Sequence, residues 1–246
     1  MTLSGVALGA RFSLATNRLR YCGPHDAEAA LARAILTGEG LEAAGEALLR
    51  FEALEPYLRG LARKHSLDPL DREVVEAYWI GNERLEDFSG DDFRQILRGL
   101  QQNGLPAGLA ARIDARLPEH PLPHHAFHVA FVGVGAVTGR VGTNLANMDA
   151  CRPSWGRVVQ VESAGLTLDR PPLLERGGRL TLGAAVRQTH PYDPRFLRDL
   201  AAGDYVALHW GWPVERLDPT QVERLERYTW RSLEASNEAF VGLRVL

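Results

Sequence analysis

The six residues Pro118-Glu119-His120-Pro121-Leu122-Pro123 carry three prolines, and no helix or paired strand runs through such a segment because each proline lacks an N–H and fixes φ. The chain is therefore read in two halves, residues 1–120 and residues 121–246, each within the usual size of a small domain.

The first half has the period of helices. Segments Asp26 to Leu36, Leu41 to His65, Pro69 to Ile80, Asp91 to Gln102 and Ala107 to Leu117 repeat apolar residues three or four apart, as Leu41, Ala44, Leu48, Leu54, Leu58 and Leu61 do. Pro56 must kink or split the second of these. Asp68 before Pro69 predicts the start of the third, and Gly81-Asn82 and Asn103-Gly104 supply stops.

The second half changes character. Val129, Phe131, Val132, Val134 and Val137, then Val158, Val159 and Val161, then Leu166 and Leu168, Leu180 and Leu182, Val206 and Leu208 are spaced as short strands with Gly and Pro between them. Asp218, Pro219 and Gln221 write the start of a closing helix in capping chemistry. The expected class is α+β: an all-helical N-terminal domain followed by a small β-barrel, occupying about Cys151 to Pro213, and a C-terminal helix.

Charge and composition exclude several functions. Basic residues number 14 against 18 acidic in residues 1–120, and 14 against 13 in 121–246. With no basic cluster, nucleic acid is a poor partner. No apolar run approaches the ~18 residues a membrane helix needs, so membrane insertion is not expected. The N-terminus lacks a charged start before an apolar run, and the two cysteines, Cys22 and Cys151, are too few for a disulfide scaffold; both point to the cytoplasm.

The most informative stretch is Gly203-Asp204-Tyr205-Val206, His209, Gly211, Trp212 and Leu217-Asp218 before the closing helix. A Gly-Asp turn launches a strand that carries a histidine, and by spacing alone such a histidine is more often structural than a ligand. In order and spacing, however, this segment resembles the HypC/HupF hydrogenase expression/formation chaperones, as does Cys151-Arg152-Pro153-Ser154-Trp155-Gly156-Arg157-Val158-Val159. The resemblance covers about Cys151 to Asn237 and not the helical half. Two departures stand out: Cys151 is internal, and Trp155 precedes Gly156 where the family has a proline.

The resemblance implies an OB-like barrel and an accessory chaperone rather than an enzyme. Cys151 and His209 would hold iron, as Fe2+ or as an iron with cyanide and carbonyl ligands, during [NiFe]-hydrogenase maturation. A HypD-like scaffold protein and the hydrogenase large-subunit precursor would be the partners. Thiolate and neutral imidazole are suitable donors for ferrous iron.

Other groups are weighed beside this pair. Cys22 sits in a turn before a helix, with His25 close in sequence, and together they offer the alternative of an enzyme site in the helical domain that the barrel docks to the maturation machinery. A metal-free interaction module is the third reading. His124, His125 and His128 lie in a segment read as a strand, where His125 would face away from the other two, so a shared ion is not expected. Gly133, Gly135, Gly139 and Gly142 read as bends, and Glu73, Glu76, Glu83 and Glu86 as a solvated helix edge.

Overall fold

The computed structural model describes residues 4–240. Helices α1 (Gly5–Arg18), α2 (Glu28–Thr37), α3 (Leu41–Leu48), α4 (Glu55–His65), α5 (Arg72–Trp79), α6 (Gly90–Gln102) and α7 (Ala107–Asp114) fill the first half. Pro56 does split the long second segment, and it sits in the first turn of α4, where its missing N–H is an orphan anyway. Helix α5 starts later than Pro69: Asp71 is the cap, accepting from the Glu73 N–H, while Asp68 closes a turn onto the Leu70 N–H. Gly81 and Gly104 end their helices at φ of 99° and 124°.

Helix α1 has no counterpart in the periodic reading, yet it lies at the centre of this lobe. Ser4 caps it, and Ala7, Leu8, Ala10, Phe12, Ser13 and Leu14 are all buried. A helix enclosed on nearly every side carries no polar stripe and so no period. Gly5 lets it approach the chain at Leu70, where a Cβ would fall 2.1 Å from the Leu70 carbonyl oxygen.

Residues 125–133, expected to begin the strands, are helical instead. Helix α8 (His125–Phe127) widens into a π-helix over His128–Gly133. Its apolar residues are buried among the other helices, and an unbroken apolar run does not distinguish a buried strand from a buried helix. A glycine-bent loop, with positive φ at Gly133, Gly135 and Gly139, leads to α9 (Leu145–Cys151).

Strands β1 (Ser154–Val161), β2 (Gly165–Arg170), β5 (Val186–Pro191), β6 (Tyr205–His209) and β7 (Trp212–Leu217) form one antiparallel sheet in the order β5-β2-β1-β6-β7. Strands β3 (Leu173–Arg176) and β4 (Arg179–Leu182) make a separate hairpin. The α+β class is therefore as expected, but the sheet is not a closed barrel. Its edge strands β5 and β7 do not pair; the His190 ring reaches the Gly211 carbonyl across the gap at 3.0 Å.

Helix α10 (Pro219–Ala239) opens with the Asp218/Gln221 capping box read from the sequence. It binds the halves together: the Tyr228 hydroxyl donates to the Asn82 carbonyl at 2.8 Å, and Asn237 exchanges two hydrogen bonds with the Leu180 backbone. One apolar core runs from Leu8, Phe12 and Trp79 through Phe127 to Ala207, Val214 and Leu225. Among the described residues no helix is long and apolar enough to cross a membrane.

Candidate metal centre

Cys151 is the last residue of α9 and His209 the last of β6. After His209 the chain reverses through Trp210 and Gly211, both with positive φ, 51° and 75°. For a tryptophan that conformation is strained. The turn is pinned by the Trp210 N–H, which donates to the Ala150 carbonyl at 2.6 Å and so ties the end of β6 to the last turn of α9. The same turn and bond place His209 beside Cys151.

His125, from the first turn of α8, completes a group. Ligand atoms of His125, Cys151 and His209 all lie within 4.8 Å of one another, and all three residues are buried. Cys151 Sγ is 3.5 Å from His125 Nε2. An ion bonded at about 2.3 Å to sulfur and about 2.0 Å to nitrogen on tetrahedral directions holds those two donors about 3.5 Å apart, so this edge of the triangle already has a metal-binding length.

The outer hydrogen bonds orient the donors. His209 Nδ1 is 2.6 Å from the Phe12 carbonyl oxygen. A carbonyl only accepts, so Nδ1 carries the proton, and burial pushes the ring's pKa down to about 4. The ring is neutral at pH 7, and its Nε2 is buried and makes no hydrogen bond in the structure, although the Cys151 backbone is close enough to favour the charged ring slightly. His125 Nδ1 meets the Tyr78 hydroxyl at 2.7 Å, and burial, then the neighbouring histidines, push its pKa well below the usual value. The Tyr78 hydroxyl can donate to or accept from His125 Nδ1; where Nδ1–H donates to it, Nε2 turns its lone pair toward the Cys151 sulfur.

Burial raises the Cys151 thiol well above its ordinary pKa, opposed by the Trp210 indole N–H, which has no other partner. Cys151 is therefore a protonated thiol in the metal-free protein, and a bound cation must displace that proton. A third imidazole, His128, stacks on His125 with centroids 5.8 Å apart and takes the Tyr57 hydroxyl at 3.1 Å.

The donors open on a cavity of about 50 Å³, whose lining includes Cys22, Phe51, Leu54, Val137, His128 and Trp210. A water-sized guest needs about 10–15 Å³ by this measure, so a few such groups fit beside the donors. An ion held by these three donors would have a small, mostly apolar space beside it and so an open coordination position, unlike a closed four-donor structural site.

Of the residues read from the sequence, Cys151 and His209 are brought together. His125 joins them: a strand would turn it away from its neighbours, but the segment is helical, and on a helix His125 and His128 share a face. The His-His-x-x-His spacing held the signal once the segment was read as helix. Cys22 and His25 are not paired: the Cys22 thiol lies 3.7 Å from Glu52 Oε2, and His25 is exposed. Burial, with Glu52 adding to it, pushes the Cys22 thiol up to about 12, the opposite of an activated nucleophile. The four glutamates of the helix edge are paired with arginines: Glu73 with Arg84, Glu76 with Arg72, Glu83 with Arg224 and Glu86 with Arg231. Asp204 serves the turn, accepting from the Ala201 N–H and from Arg216.

The chain belongs to a family of unknown function (DUF6390), whose sequence profile matches residues 1–242. No curated protein and no solved structure matches it.

Proposed function

As a member of that family, the chain takes its functional reading from its own site, and we propose that it is an accessory metallochaperone that holds a transition-metal ion at His125, Cys151 and His209. The observation that carries this is the convergence of Cys151 and His209, the two residues singled out by the HypC/HupF resemblance, onto one buried donor set with an oriented, partnerless imidazole nitrogen.

In this reading the cargo is iron, as Fe2+ or already carrying cyanide and carbonyl ligands, and the destination is the large-subunit precursor of a [NiFe]-hydrogenase in the cytoplasm. The residues do three things. Cys151 gives up its proton and supplies the one anionic donor. His125 and His209 supply neutral nitrogens held by Tyr78 and the Phe12 carbonyl. The apolar cavity wall keeps bulk water from the remaining position, which a thiolate of a HypD-like partner would fill during transfer. A site with one open position holds its metal less permanently than a closed four-donor cage.

The test is anaerobic ferrous-iron binding by the wild-type chain beside Cys151→Ala and His209→Ala, with infrared spectra of the cyanide and carbonyl stretching region. One ion per chain, lost in both variants, is expected. Undiminished hydrogenase maturation in a host carrying a well-folded Cys151→Ala protein would overturn the reading.

A further inference from the structure

Buried polar atoms in a folded chain nearly all find a hydrogen-bond partner, so each one that does not calls for a reason. Four such atoms belong to residues that line the cavity beside the metal donors: Ser13 Oγ, Trp79 Nε1, His209 Nε2 and Trp210 Nε1. His209 Nε2 is part of the donor set, and Trp210 Nε1 lies beside the Cys151 sulfur. Ser13 and Trp79 have no such duty, and both are buried, at 0% and 2% exposure.

Each is held close to the metal donors by its helix. Ser13 follows Phe12 in α1, and the Phe12 carbonyl is the one that meets His209 Nδ1. A serine buried in a helix ordinarily returns its hydroxyl to the carbonyl one turn back, yet Ser13 Oγ makes no hydrogen bond. Trp79 closes α5, and its ring packs 4.5 Å from the His125 ring and 5.0 Å from the His209 ring, centroid to centroid. The cavity wall carries neither a carboxylate nor a side-chain amide to accept from these groups. Buried donors without an acceptor, beside a place for a cation, are the complement of an anion. Charge points the same way: a divalent ion on one thiolate and two neutral imidazoles leaves one positive charge in an apolar pocket, and a single monovalent anion cancels it.

We infer that Ser13 and Trp79 form an anion pocket of the metal centre, in which the hydroxyl and the indole N–H donate to a small linear anion of the cyanide or azide class that occupies the ion's open position; this rests on the metal-centre reading. Room and polarity set the class. The cavity of about 50 Å³ admits a few water-sized groups at about 10–15 Å³ each, enough for two or three atoms in line. A tetrahedral oxyanion would turn further oxygens toward Phe51, Leu54 and Val137, which offer no hydrogen bond. The anion enters as a ligand and leaves as one when a partner's thiolate replaces it, so no electron is exchanged.

The experiment titrates sodium azide into the full chain saturated with Co2+ under anaerobic conditions, reading the visible spectrum of the cobalt and the infrared stretch of bound azide. Variants are Ser13→Ala and Trp79→Phe, each checked for a wild-type thermal transition and for the thiolate-to-cobalt band before azide is added. Each is expected to bind azide at least about tenfold more weakly, the loss of one hydrogen bond to a charged group, and to move the azide stretch, which a change in packing alone would leave in place. If Trp79→Phe does not fold, Ser13→Ala decides by itself. Wild-type azide affinity with an unmoved stretch in the folded variants overturns the anion pocket. So does a cobalt-loaded wild type that binds no azide, and this result leaves the metal centre standing. Absence of any thiolate-to-cobalt band in the wild type would instead remove the centre itself, and the anion pocket with it.

Discussion

Cys151 Sγ and His125 Nε2 stand 3.5 Å apart, although one closes α9 and the other opens α8 on the far side of a glycine-bent loop. Neither side chain is driven there by apolar burial alone, since a thiol and an imidazole nitrogen facing each other in a dry pocket gain little without a shared proton or a shared ion. On the metallochaperone reading proposed above, His125 would be a ligand of the same rank as Cys151 and His209.

The first prediction concerns that rank. His125→Ala is expected to lower the affinity for Co2+ or Fe2+ by more than about 100-fold, as much as Cys151→Ala does, because losing a donor costs more than the ~10–100-fold typical of an outer-shell change. Competitive titration against a chromophoric chelator measures it. A His125→Ala protein with wild-type affinity would reduce the centre to the two donors that the resemblance implies.

A second prediction separates the ligand from its support. Tyr78 is buried, and its hydroxyl meets His125 Nδ1 at 2.7 Å. Tyr78→Phe keeps the edge-to-face ring contacts with Trp79 and His125 but removes the oxygen that fixes the imidazole, so metal affinity should fall by about 10–100-fold with the ligand set intact. Cobalt spectra of unchanged shape with a weaker binding constant are the expected signature; a changed spectrum would mean that His125 has left the ion.

How much of this was legible in the residues follows from where period and capping exist. Pro56, Gly81, Gly104 and the Asp218/Gln221 box each act within a few residues, and each was read correctly from the chain because capping and φ preferences are local. Helix α1 and residues 125–133 were lost for the opposite reason: both are enclosed by other elements, so nothing in their own pattern alternates. The strand reading of 125–133 then hid His125, since period two and period 3.6 put it on different faces. Closure of the sheet is a tertiary matter as well. Short strands and turns do not say whether β5 and β7 pair, and here no ladder joins them: the His190 ring of β5 reaches the Gly211 carbonyl in the turn before β7.

The buried histidines predict an acid sensitivity of the metal-free protein. Burial pushes His124 down to about 3 and His128 and His209 to about 4, and His125 lies well below its usual value. In the unfolded chain these rings titrate near about 6.5. Above that value neither state is protonated and the stability is full. As pH falls from about 6.5 toward 4 the unfolded state takes protons that the fold refuses, at up to about 1.4 kcal/mol per pH unit for each ring. Urea midpoints should drop steeply between about pH 7 and about pH 5, before most carboxylates titrate. A flat midpoint across that range would mean that the rings are not held neutral.

The last prediction tests what holds Cys151 in place. Asp149 Oδ1, two residues before Cys151 on α9, accepts from Arg152 Nη2 at 2.9 Å, from Arg170 Nη2 at 2.7 Å and from the Leu173 N–H at 2.8 Å. Both arginine side chains are almost wholly enclosed, at 2% and 8% exposure, and burial pushes the Arg152 pKa down to about 10. Two buried cations on one carboxylate leave the fold dependent on that carboxylate. Asp149→Ala strands both guanidinium groups and should cost about 3–5 kcal/mol, the range for breaking a buried ion pair from one side. Arg187→Ala, which removes the exposed partner of Asp169, should leave the urea midpoint where it is. If the two variants unfold at the same urea concentration, the Asp149 cluster is not what fixes α9 against β2 and β3. The position of Cys151 would then rest on the Trp210 to Ala150 backbone bond and on its place in the apolar cluster with Val134, Met148 and Leu173.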